Sequence, residues 1–358
     1  MKQEFYYQQM NKAQQNAYRA MLDGFESLSP EFPVLRLDGK ELSDIFFRLR
    51  LDHPAIFYVE GFHYRFARNS EYVQMIPEYM FEKKKIKEMK TALESRISRL
   101  VRQAEGMTPE EKEKYVHEFI CSNVTYDKLK KQYSHEIIGP LQQGIGVCEG
   151  IAKTVKILCD RLGLECLIAI SESAPDRGIR YRHAWNLVKC NGDYYYVDTT
   201  WGDPVFQQEE GEDTSRDTEQ NSGQDAEASG NKANISYDYM CCDDTQLFQT
   251  HILDKDTQMP ECSKMDCNYY VVNGMYYTKY DAKKVLEAMN QAIWAKKSAT
   301  IFKFADTSVY SQAHDDIFQK ELAKAAQNLA DYYGLSQVKY QYIDDPRLHK
   351  IVIFWQYS

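Results

Sequence analysis

The 358-residue sequence predicts an α+β protein in which a helix that begins at a cysteine packs against an antiparallel sheet. Two observations lead to this prediction. A glycine-rich loop runs into Cys148, and apolar residues then recur at helical spacing until Gly163. Further along, two β-type segments at 182–189 and 193–199 flank Asn191-Gly192, the residue pair that favours tight hairpin turns.

The residues before this central part predict an N-terminal α+β region over residues 1–105. Helical spacing of apolar residues predicts helices from Gln8 to Leu28, from Leu42 to Leu51 and from Lys83 to Gln103. Short aromatic and β-branched segments predict strands at Ala55 to Val59, Phe62 to Ala67 and Tyr72 to Ile76. Thr108-Pro109-Glu110-Glu111 combines an N-cap, a first-turn proline and a capping box, which predicts a helix to about Asn123.

The C-terminal residues 290–358 predict a small α/β subdomain. Its predicted elements are a strand at Ala299 to Phe304, a helix at Asp315 to Tyr333, and strands at Val338 to Ile343 and Lys350 to Trp355. Residues 106–289 then form the predicted catalytic core. Within that core, residues 207–234 hold eight acids against two basic residues and have no aromatic or large aliphatic side chain, which predicts a disordered surface insertion.

Composition excludes several classes of protein. The hydrophobic fraction of 43% is typical of a folded chain. The net charge of −9 argues against nucleic-acid binding. Because most of this charge comes from the predicted insertion, we infer no acidic substrate or partner from it. Nine cysteines are an odd number, so reduced thiols are expected. No apolar run predicts a leader or a membrane span, so the chain is expected to be cytoplasmic, or secreted if a leader has been removed.

The position of Cys148 favours reactivity. The unpaired N–H groups and the positive end of the dipole at a helix N-terminus stabilise a thiolate. The same N–H groups can donate to an oxyanion that forms on an attacked carbonyl. We expect the surrounding glycines, Gly144, Gly146 and Gly150, to let a substrate backbone approach closely.

The hairpin supplies the partners of this cysteine. With a two-residue turn at Asn191-Gly192, paired positions sum to 383, so His183 lies opposite Thr200 and diagonal to Asp198 on one face. Asp198 can then hold one ring nitrogen of His183 and leave the other for a thiol. The register therefore predicts a cysteine–histidine–aspartate site. It puts Asn186 on the opposite face from His183, so no direct role in catalysis is expected for Asn186.

Three motifs in the same order resemble the signature blocks of the transglutaminase-like superfamily, closest to its bacterial members. They are Gly146-Val-Cys148-Glu-Gly150, His183-Ala-Trp-Asn186 and Tyr196-Val-Asp198-Thr-Thr-Trp201-Gly-Asp-Pro204. The resemblance covers roughly residues 110–205 and implies a papain/transglutaminase-like core without a cofactor. It assigns Cys148 as nucleophile, His183 as base and Asp198 as orienting acid, and it implies a peptide or protein substrate.

Further residues in and near these motifs are predicted to contact the substrate. They are Gly146, Glu149, Trp185, Trp201, Gln143 and Tyr126, with Gln142, Gln143 and Tyr126 as possible second oxyanion donors. The two tryptophans either line the cleft or simply pack. Ile151 departs from the family pattern, in which an aromatic residue is common, and we interpret this as a change in packing.

Three alternatives remain open. Asp203 is a rival to Asp198, although its place beside Pro204 suggests that it caps a turn. Cys241-Cys242, Cys262 and Cys267, with His251 among them, could suggest zinc, but their spacing lacks a C-x-x-C pair, so no metal is predicted. For function, an amide or peptide hydrolase is favoured over a protein transglutaminase, which resolves the same thioester with an amine, and over a catalytically silent interaction module.

Overall fold

The structure is a computed structural model that describes residues 4–171, 183–202 and 235–357. The predicted acidic insertion and Asp203 lie outside these residues. The chain forms two compact units, residues 1–264 and residues 265–358. Helices and sheets are mixed in both units, which confirms the predicted α+β class. The three-part division drawn from the sequence stays a prediction.

The first part of unit 1 packs helices against a small antiparallel sheet of order β1-β3-β2. Its helices are α1 (Phe5–Gln8), α2 (Lys12–Glu26), α3 (Gly39–Asp52) and α4 (Lys83–Gln103). Its strands are β1 (Phe32–Leu35), β2 (Val59–Phe66) and β3 (Tyr72–Tyr79). The three predicted helices are confirmed.

One predicted strand of this region is wrong and another was missed. Residues 55–58 form turns, in which the Ile56 N–H donates to the carbonyl of His53 at 3.0 Å. Phe57 and Tyr58 lie in these turns, and their aromatic side chains are buried in the core. The segment therefore has the composition of a strand although its backbone does not pair as one. The missed strand is β1, which contains Pro33 and occupies a sheet edge, where the absence of one N–H is tolerated.

The second part of unit 1 carries the predicted catalytic elements. These are α5 (Pro109–Asn123), β4 (Thr125–Tyr126), a 3₁₀ turn (Gln132–His135), a π-helical turn (Gly139–Gln143), β5 (Ile145–Gly146), α6 (Cys148–Arg161), β6 (Cys166–Ile170), β7 (Ala184–Cys190), β8 (Asp193–Val197), β9 (Met240–Cys242) and α7 (Asp244–Leu247). Thr108 caps α5 through the predicted capping box. Strands β6-β7-β8-β9 pair antiparallel in that order, and β4 pairs with β5.

The helix α6 is held on this sheet by buried side chains. Asn186 on β7 donates from Nδ2 to the carbonyl of Ala152 on α6 at 3.0 Å and to that of Leu167 on β6 at 3.2 Å. Asn186 therefore faces the helix from the sheet and ties the two together. This agrees with the prediction that it lies on the other face from His183.

Unit 2 is an α/β unit with a sheet of order β10-β11-β13-β12. Its elements are α8 (Tyr269–Val272), β10 (Tyr276–Tyr277), α9 (Ala282–Trp294), β11 (Ala299–Phe304), α10 (Thr307–Asp316), a π-helical turn (Ile317–Glu321), α11 (Leu322–Tyr333), β12 (Lys339–Asp345) and β13 (Lys350–Gln356). The predicted strands are confirmed. The predicted helix start at Asp315 is wrong, because Asp306 caps an earlier start by accepting from the Val309 N–H at 2.9 Å. Among the described residues, none of the helices has the length and apolar character needed to cross a membrane.

One buried carboxyl group gives unit 1 a pH-dependent stability. Glu113 on α5 is 1% exposed and accepts a hydrogen bond from the Cys241 thiol at 3.5 Å. Burial raises the pKa of Glu113 to about 8, opposed by the Cys241 hydrogen bond and reinforced by the charge of Glu118. Because the folded pKa lies above the unfolded value, the stability that Glu113 contributes is present at low pH and is lost as pH rises from about 4.5 through 8.

We expect Glu113→Gln to remove this loss, since an amide does not ionise. The Tm of the variant should match that of the wild type near pH 4 and exceed it increasingly up to pH 9. At pH 9 the unfolding free energy of the variant should be larger by an amount on the order of 3 kcal/mol. Thermal unfolding followed by circular dichroism across this range measures the difference. Glu105→Gln, at an exposed carboxylate, serves as the control. A difference between Glu113→Gln and wild type that stays constant with pH would show that folding does not raise the pKa of Glu113.

Candidate functional site

The structure brings Cys148, His183 and Asp198 together at the end of the sheet. Cys148 is the first residue of α6, after the N-cap Val147, and is partly exposed. The hairpin register is confirmed, since Asn186 pairs with Val197 and Cys190 with Asp193. His183 directly precedes β7 and Asp198 directly follows β8, so the two side chains meet where the strands end.

The turn that sets this register has the predicted chemistry. Asn191 and Gly192 have φ angles of 52° and 96°. Positive φ at both central residues is the requirement of a type I′ turn, whose twist matches that of the flanking strands. The local sequence therefore fixes the pairing that brings His183 to Asp198.

Asp198 is a buried carboxylate with four donors around it. It is 1% exposed, and its Oδ1 accepts from the backbone N–H groups of Thr200 at 2.9 Å and Trp201 at 3.2 Å. Its Oδ2 accepts from Nε2 of His183 and from Nε2 of His251, the latter at 3.0 Å. Burial alone would raise the pKa of Asp198, but the charge and hydrogen bond of His183, together with His251, hold it well below its usual range.

His183 connects this carboxylate to the cysteine. Its Nε2 bonds to Asp198, so Nδ1 is the ring nitrogen left for the thiol of Cys148, whose side chain lies close enough to interact with the ring. Burial would lower the pKa of His183, but the charge of Asp198, the hydrogen bond to it and the interaction with Cys148 outweigh burial and raise the pKa to about 10. An imidazole with this pKa holds a proton at neutral pH.

The backbone of His183 is fixed as well. Its N–H donates to Oγ of Ser171 at 2.7 Å, and its carbonyl accepts from the Ser171 N–H at 2.9 Å. Ser171 follows β6, so the end of the neighbouring strand holds the histidine in place. The backbone of His183 is therefore held by Ser171, and its ring is held by Asp198.

The loop before Cys148 uses its glycines for its own packing. A Cβ at Gly150 would lie 2.1 Å from the carbonyl oxygen of Ser134, and one at Gly146 would lie 2.9 Å from Cγ of Pro140. Gly144 has a φ of 68° and ends the π-helical turn. The close approaches at Gly146 and Gly150 are therefore to the protein's own chain, whereas we expected them to serve a substrate.

Glu149, a predicted substrate contact, belongs to a buried ion network. It is 7% exposed, and its carboxylate lies 2.7 Å from Nζ of Lys153 and 3.1 Å from Nδ1 of His135. Glu136 and Arg50 complete the cluster, with the Glu136 carboxylate 2.8 Å from the same Nζ and in contact with Arg50. Burial opposes ionisation of Glu149, but the charge of Lys153 and the hydrogen bond of His135 hold its pKa below the ordinary value. Its side chain anchors the start of α6.

The other predicted substrate contacts lie partly against His183 and partly around the site. Trp185 is buried and stacks on His183 with ring centroids 5.7 Å apart, while the partly exposed Trp201 ring lies 6.5 Å from the same imidazole. Tyr126 is half-buried and pairs with Gly146, two residues before the cysteine. Gln143 is exposed in the π-helical turn. The predicted roles of these residues, and of Cys148, His183 and Asp198, stay predictions.

Sequence reasoning missed His251 as a member of this site. It was considered as a possible zinc ligand beside Cys241, Cys242, Cys262 and Cys267, or as part of a segment that packs on the sheet, whereas its ring contacts Asp198. The nine cysteines, all of them among the described residues, form no disulfide. His183, Asp198 and His251 offer ligand atoms within 4.8 Å of one another, which would also suit a metal ion.

Residues 97–199 match the model of the transglutaminase-like superfamily, a range that contains Cys148, His183 and Asp198. A solved structure described as a TGase is 14% identical, with a TM-score of 0.26, over 47% of this chain and 50% of that chain. A "putative protease" from Parabacteroides distasonis is 11% identical, with a TM-score of 0.23, over 39% of this chain and 36% of that chain. This chain thus spans half or less of each of these two proteins. No curated protein matches it.

Proposed function

We propose that this chain, whose residues 97–199 carry a transglutaminase-like domain, is a cysteine-dependent hydrolase of amide or peptide bonds that acts through a thioester. One observation carries the proposal. The Cys148 thiol, at a helix N-terminus, lies beside the His183 imidazole, which is hydrogen-bonded to the Asp198 carboxylate. This is the arrangement in which a base activates a nucleophile and a third group orients the base.

The first half of the reaction follows from these contacts. His183 holds the proton of Cys148, and the thiolate attacks the carbonyl carbon of the substrate. Negative charge develops on the carbonyl oxygen, where the unpaired N–H groups of the first turn of α6 can donate to it. His183 then returns its proton to the departing amine as the C–N bond breaks. The products of this half are an amine and a thioester on Cys148.

The second half regenerates the enzyme. His183, now neutral, takes a proton from a water molecule, whose oxygen attacks the thioester carbonyl. The C–S bond breaks, the carboxylic acid leaves, and the proton on His183 again pairs with the Cys148 thiolate. Asp198 keeps the proton of His183 on Nε2 throughout, so that Nδ1 stays available to sulfur and substrate. Tyr126 and Gln143 are candidates for a second oxyanion donor.

The proposal is tested by the reactivity of Cys148 with iodoacetamide. Because the other eight cysteines are buried, preferential labelling of Cys148 would also follow from exposure alone. We therefore expect two results together. Cys148 is alkylated first in the wild type near neutral pH, and His183→Ala slows this alkylation on the order of tenfold or more at unchanged exposure.

Mass spectrometry locates the modified cysteine, and the rate is measured against pH for both proteins. His63→Ala is the control, because that histidine is exposed on β2, where it contacts Glu78. An inert Cys148, or equal alkylation rates in wild type and His183→Ala, would refute the proposal.

The acceptor of the acyl group is decided in a separate assay. Casein is incubated with the enzyme in the presence and absence of a fluorescent primary amine. The hydrolase proposal expects new carboxyl groups or shorter peptides with little incorporated amine. Efficient amine incorporation that requires Cys148 would replace hydrolysis with acyl transfer, the alternative that the sequence left open.

A further inference from the structure

A second imidazole binds the carboxylate that orients His183. His251 is 3% exposed on its side chain, and its Nε2 lies 3.0 Å from Oδ2 of Asp198, the same oxygen that accepts from His183. It follows Asp198 by 53 residues and lies after β9 and α7. The proposed reaction assigns this histidine no step.

The hydrogen bonds around His251 fix its tautomer. A carboxylate only accepts, so the proton that joins His251 to Asp198 is on Nε2. The opposite nitrogen, Nδ1, lies 2.8 Å from Oγ1 of Thr250, whose hydroxyl can donate to it. Oη of Tyr239 lies 2.7 Å from the same Oγ1 and can donate to that oxygen. Tyr239, Thr250 and His251 therefore form a hydrogen-bonded series that ends on Asp198.

Aromatic rings hold the imidazole of His251 in this orientation. Its centroid lies 4.9 Å from that of Tyr239, 5.1 Å from that of Trp185 and 5.3 Å from that of Trp201. The rings of Tyr239 and Trp185 meet it edge-on at 65° and 73°. A ring enclosed on these sides cannot turn its Nε2 away from Asp198 without displacing large buried side chains. The donor is therefore pre-oriented.

The separations favour hydrogen bonds over a shared metal ion. Two ligands of a tetrahedral zinc ion, each about 2.0–2.1 Å from the metal, are roughly 3.3 Å apart. Nε2 of His251 lies 3.0 Å from the Asp198 oxygen, and Nε2 of His183 contacts the same oxygen. Both nitrogens thus approach one carboxylate oxygen directly, at hydrogen-bond separation.

We propose that His251 is a positioning residue, which donates to Oδ2 of Asp198 and thereby fixes the carboxylate that orients His183. Its effect on Cys148 rests on the function proposed above, whereas its bond to Asp198 does not. With Oδ1 occupied by the N–H groups of Thr200 and Trp201, the His251 donor completes the coordination of a buried charge. The carboxylate then has one stable orientation, in which His183 is held with Nδ1 toward the thiol.

Three variants at position 251 separate this role from packing. His251→Gln can place an amide N–H near the former Nε2, His251→Asn has an amide too short to reach Asp198, and His251→Phe fills the aromatic cage without a donor. Loss of a hydrogen bond to a charged group corresponds to a change of roughly ten- to hundredfold in an equilibrium or rate constant. We expect Cys148 alkylation to fall on the order of tenfold in the Asn and Phe variants and to stay near the wild-type rate in the Gln variant.

Proton NMR of protein labelled with ¹⁵N-histidine reads the bond itself. The wild type is expected to show exchange-protected imidazole N–H signals from His183 and His251, beside that of the buried His117, whose Nε2 donates to the carbonyl of Ser236 at 2.9 Å. Asp198→Ala should abolish the protection of the first two. The His183 signal should shift in His251→Asn and keep its position in His251→Gln. A role limited to packing would leave that signal unmoved, and the Gln and Asn variants keep the test valid if the Phe variant does not fold.

The outcomes are distinct. The absence of a protected signal assigned to His251 in the wild type, or equal alkylation rates in the Gln, Asn and Phe variants and the wild type, overturns the role of His251. Stoichiometric zinc in the purified protein, with the His183 and His251 signals altered by a chelator, replaces it with a metal site. If wild-type Cys148 is inert toward iodoacetamide, the proposed hydrolase function fails, and the NMR signals still decide whether His251 binds Asp198.

Discussion

Replacing Asp198 with asparagine is expected to lower turnover and Cys148 alkylation on the order of 10- to 10³-fold while the protein remains folded. The four donors around Asp198 explain this expectation, because an amide has one accepting oxygen where the carboxylate has two. The backbone N–H groups of Thr200 and Trp201 are fixed in position, so they retain the oxygen. The amide NH₂ must then face His183 and His251.

An NH₂ group in this position changes the tautomer of His183. To accept from the amide, Nε2 must give up its proton, which moves to Nδ1. The proton then points toward Cys148, so the ring can no longer take the proton of the thiol. The loss therefore comes from a wrong tautomer in addition to a missing charge, and it leaves the buried surroundings of Asp198 in place.

The measurements are the alkylation rate of Cys148, turnover with casein and Tm. Asp238→Asn is the matched control, since Asp238 is also a buried carboxylate of this region and accepts from Ser236 at 2.7 Å. It should retain nearly full reactivity. Asp203→Asn tests the rival carboxylate of the sequence. A larger loss in Asp203→Asn than in Asp198→Asn would show that the orienting acid was assigned to the wrong residue.

Gly150→Ala is expected to destabilise unit 1 by about 3 kcal/mol or more and to abolish rapid alkylation of Cys148. In most helices this change is stabilising by up to about 1 kcal/mol, so the expected sign is reversed. The added Cβ would lie 2.1 Å from the carbonyl oxygen of Ser134. That carbonyl cannot retreat freely, because it accepts from the Val147 N–H at 3.0 Å and the Ser134 hydroxyl is bonded to Asp127.

Relief of this clash must move the start of α6 and the cysteine with it. Gly39→Ala is the matched control, as Gly39 is also in the first turn of a helix, and its added Cβ would meet the end of the flexible Tyr64 side chain, whose hydroxyl lies 3.0 Å away. Its Tm should stay near that of the wild type. Urea unfolding measures both changes. Equal stability of the two variants would mean that the loop around Ser134 is more deformable than its hydrogen bonds indicate.

The parts of the site that the sequence predicted are those set by local geometry. Asn191-Gly192 determines the turn, the turn determines the register, and the register brings His183 to Asp198 within a span of 15 residues. The start of α6 at Cys148 is equally local, because it depends on a glycine-rich loop followed by apolar residues at helical spacing. Such features need no knowledge of distant segments.

The features that were missed depend on distant segments. His251 reaches Asp198 only because β9 pairs with β8 and the chain then returns to the sheet end, and no local pattern encodes that path. Glu149 follows the nucleophile in a signature motif, yet its partner Arg50 comes from α3, about a hundred residues earlier. Pro33 concealed β1, because a proline is compatible with a strand only at an edge, and edges are a property of the assembled sheet.

The order of the sheet also bears on when the site becomes reactive during folding. Strands β6, β7, β8 and β9 pair in chain order, so the hairpin that joins His183 to Asp198 has low contact order and can form within about 1–10 μs. Cys148 joins them only when α6 docks on the finished sheet, where Asn186 bonds to the carbonyl of Ala152. The base and the acid therefore meet through local strand pairing, whereas the thiol reaches them only through the tertiary packing of α6, so that loosening this packing would separate the thiol from an intact histidine–aspartate pair.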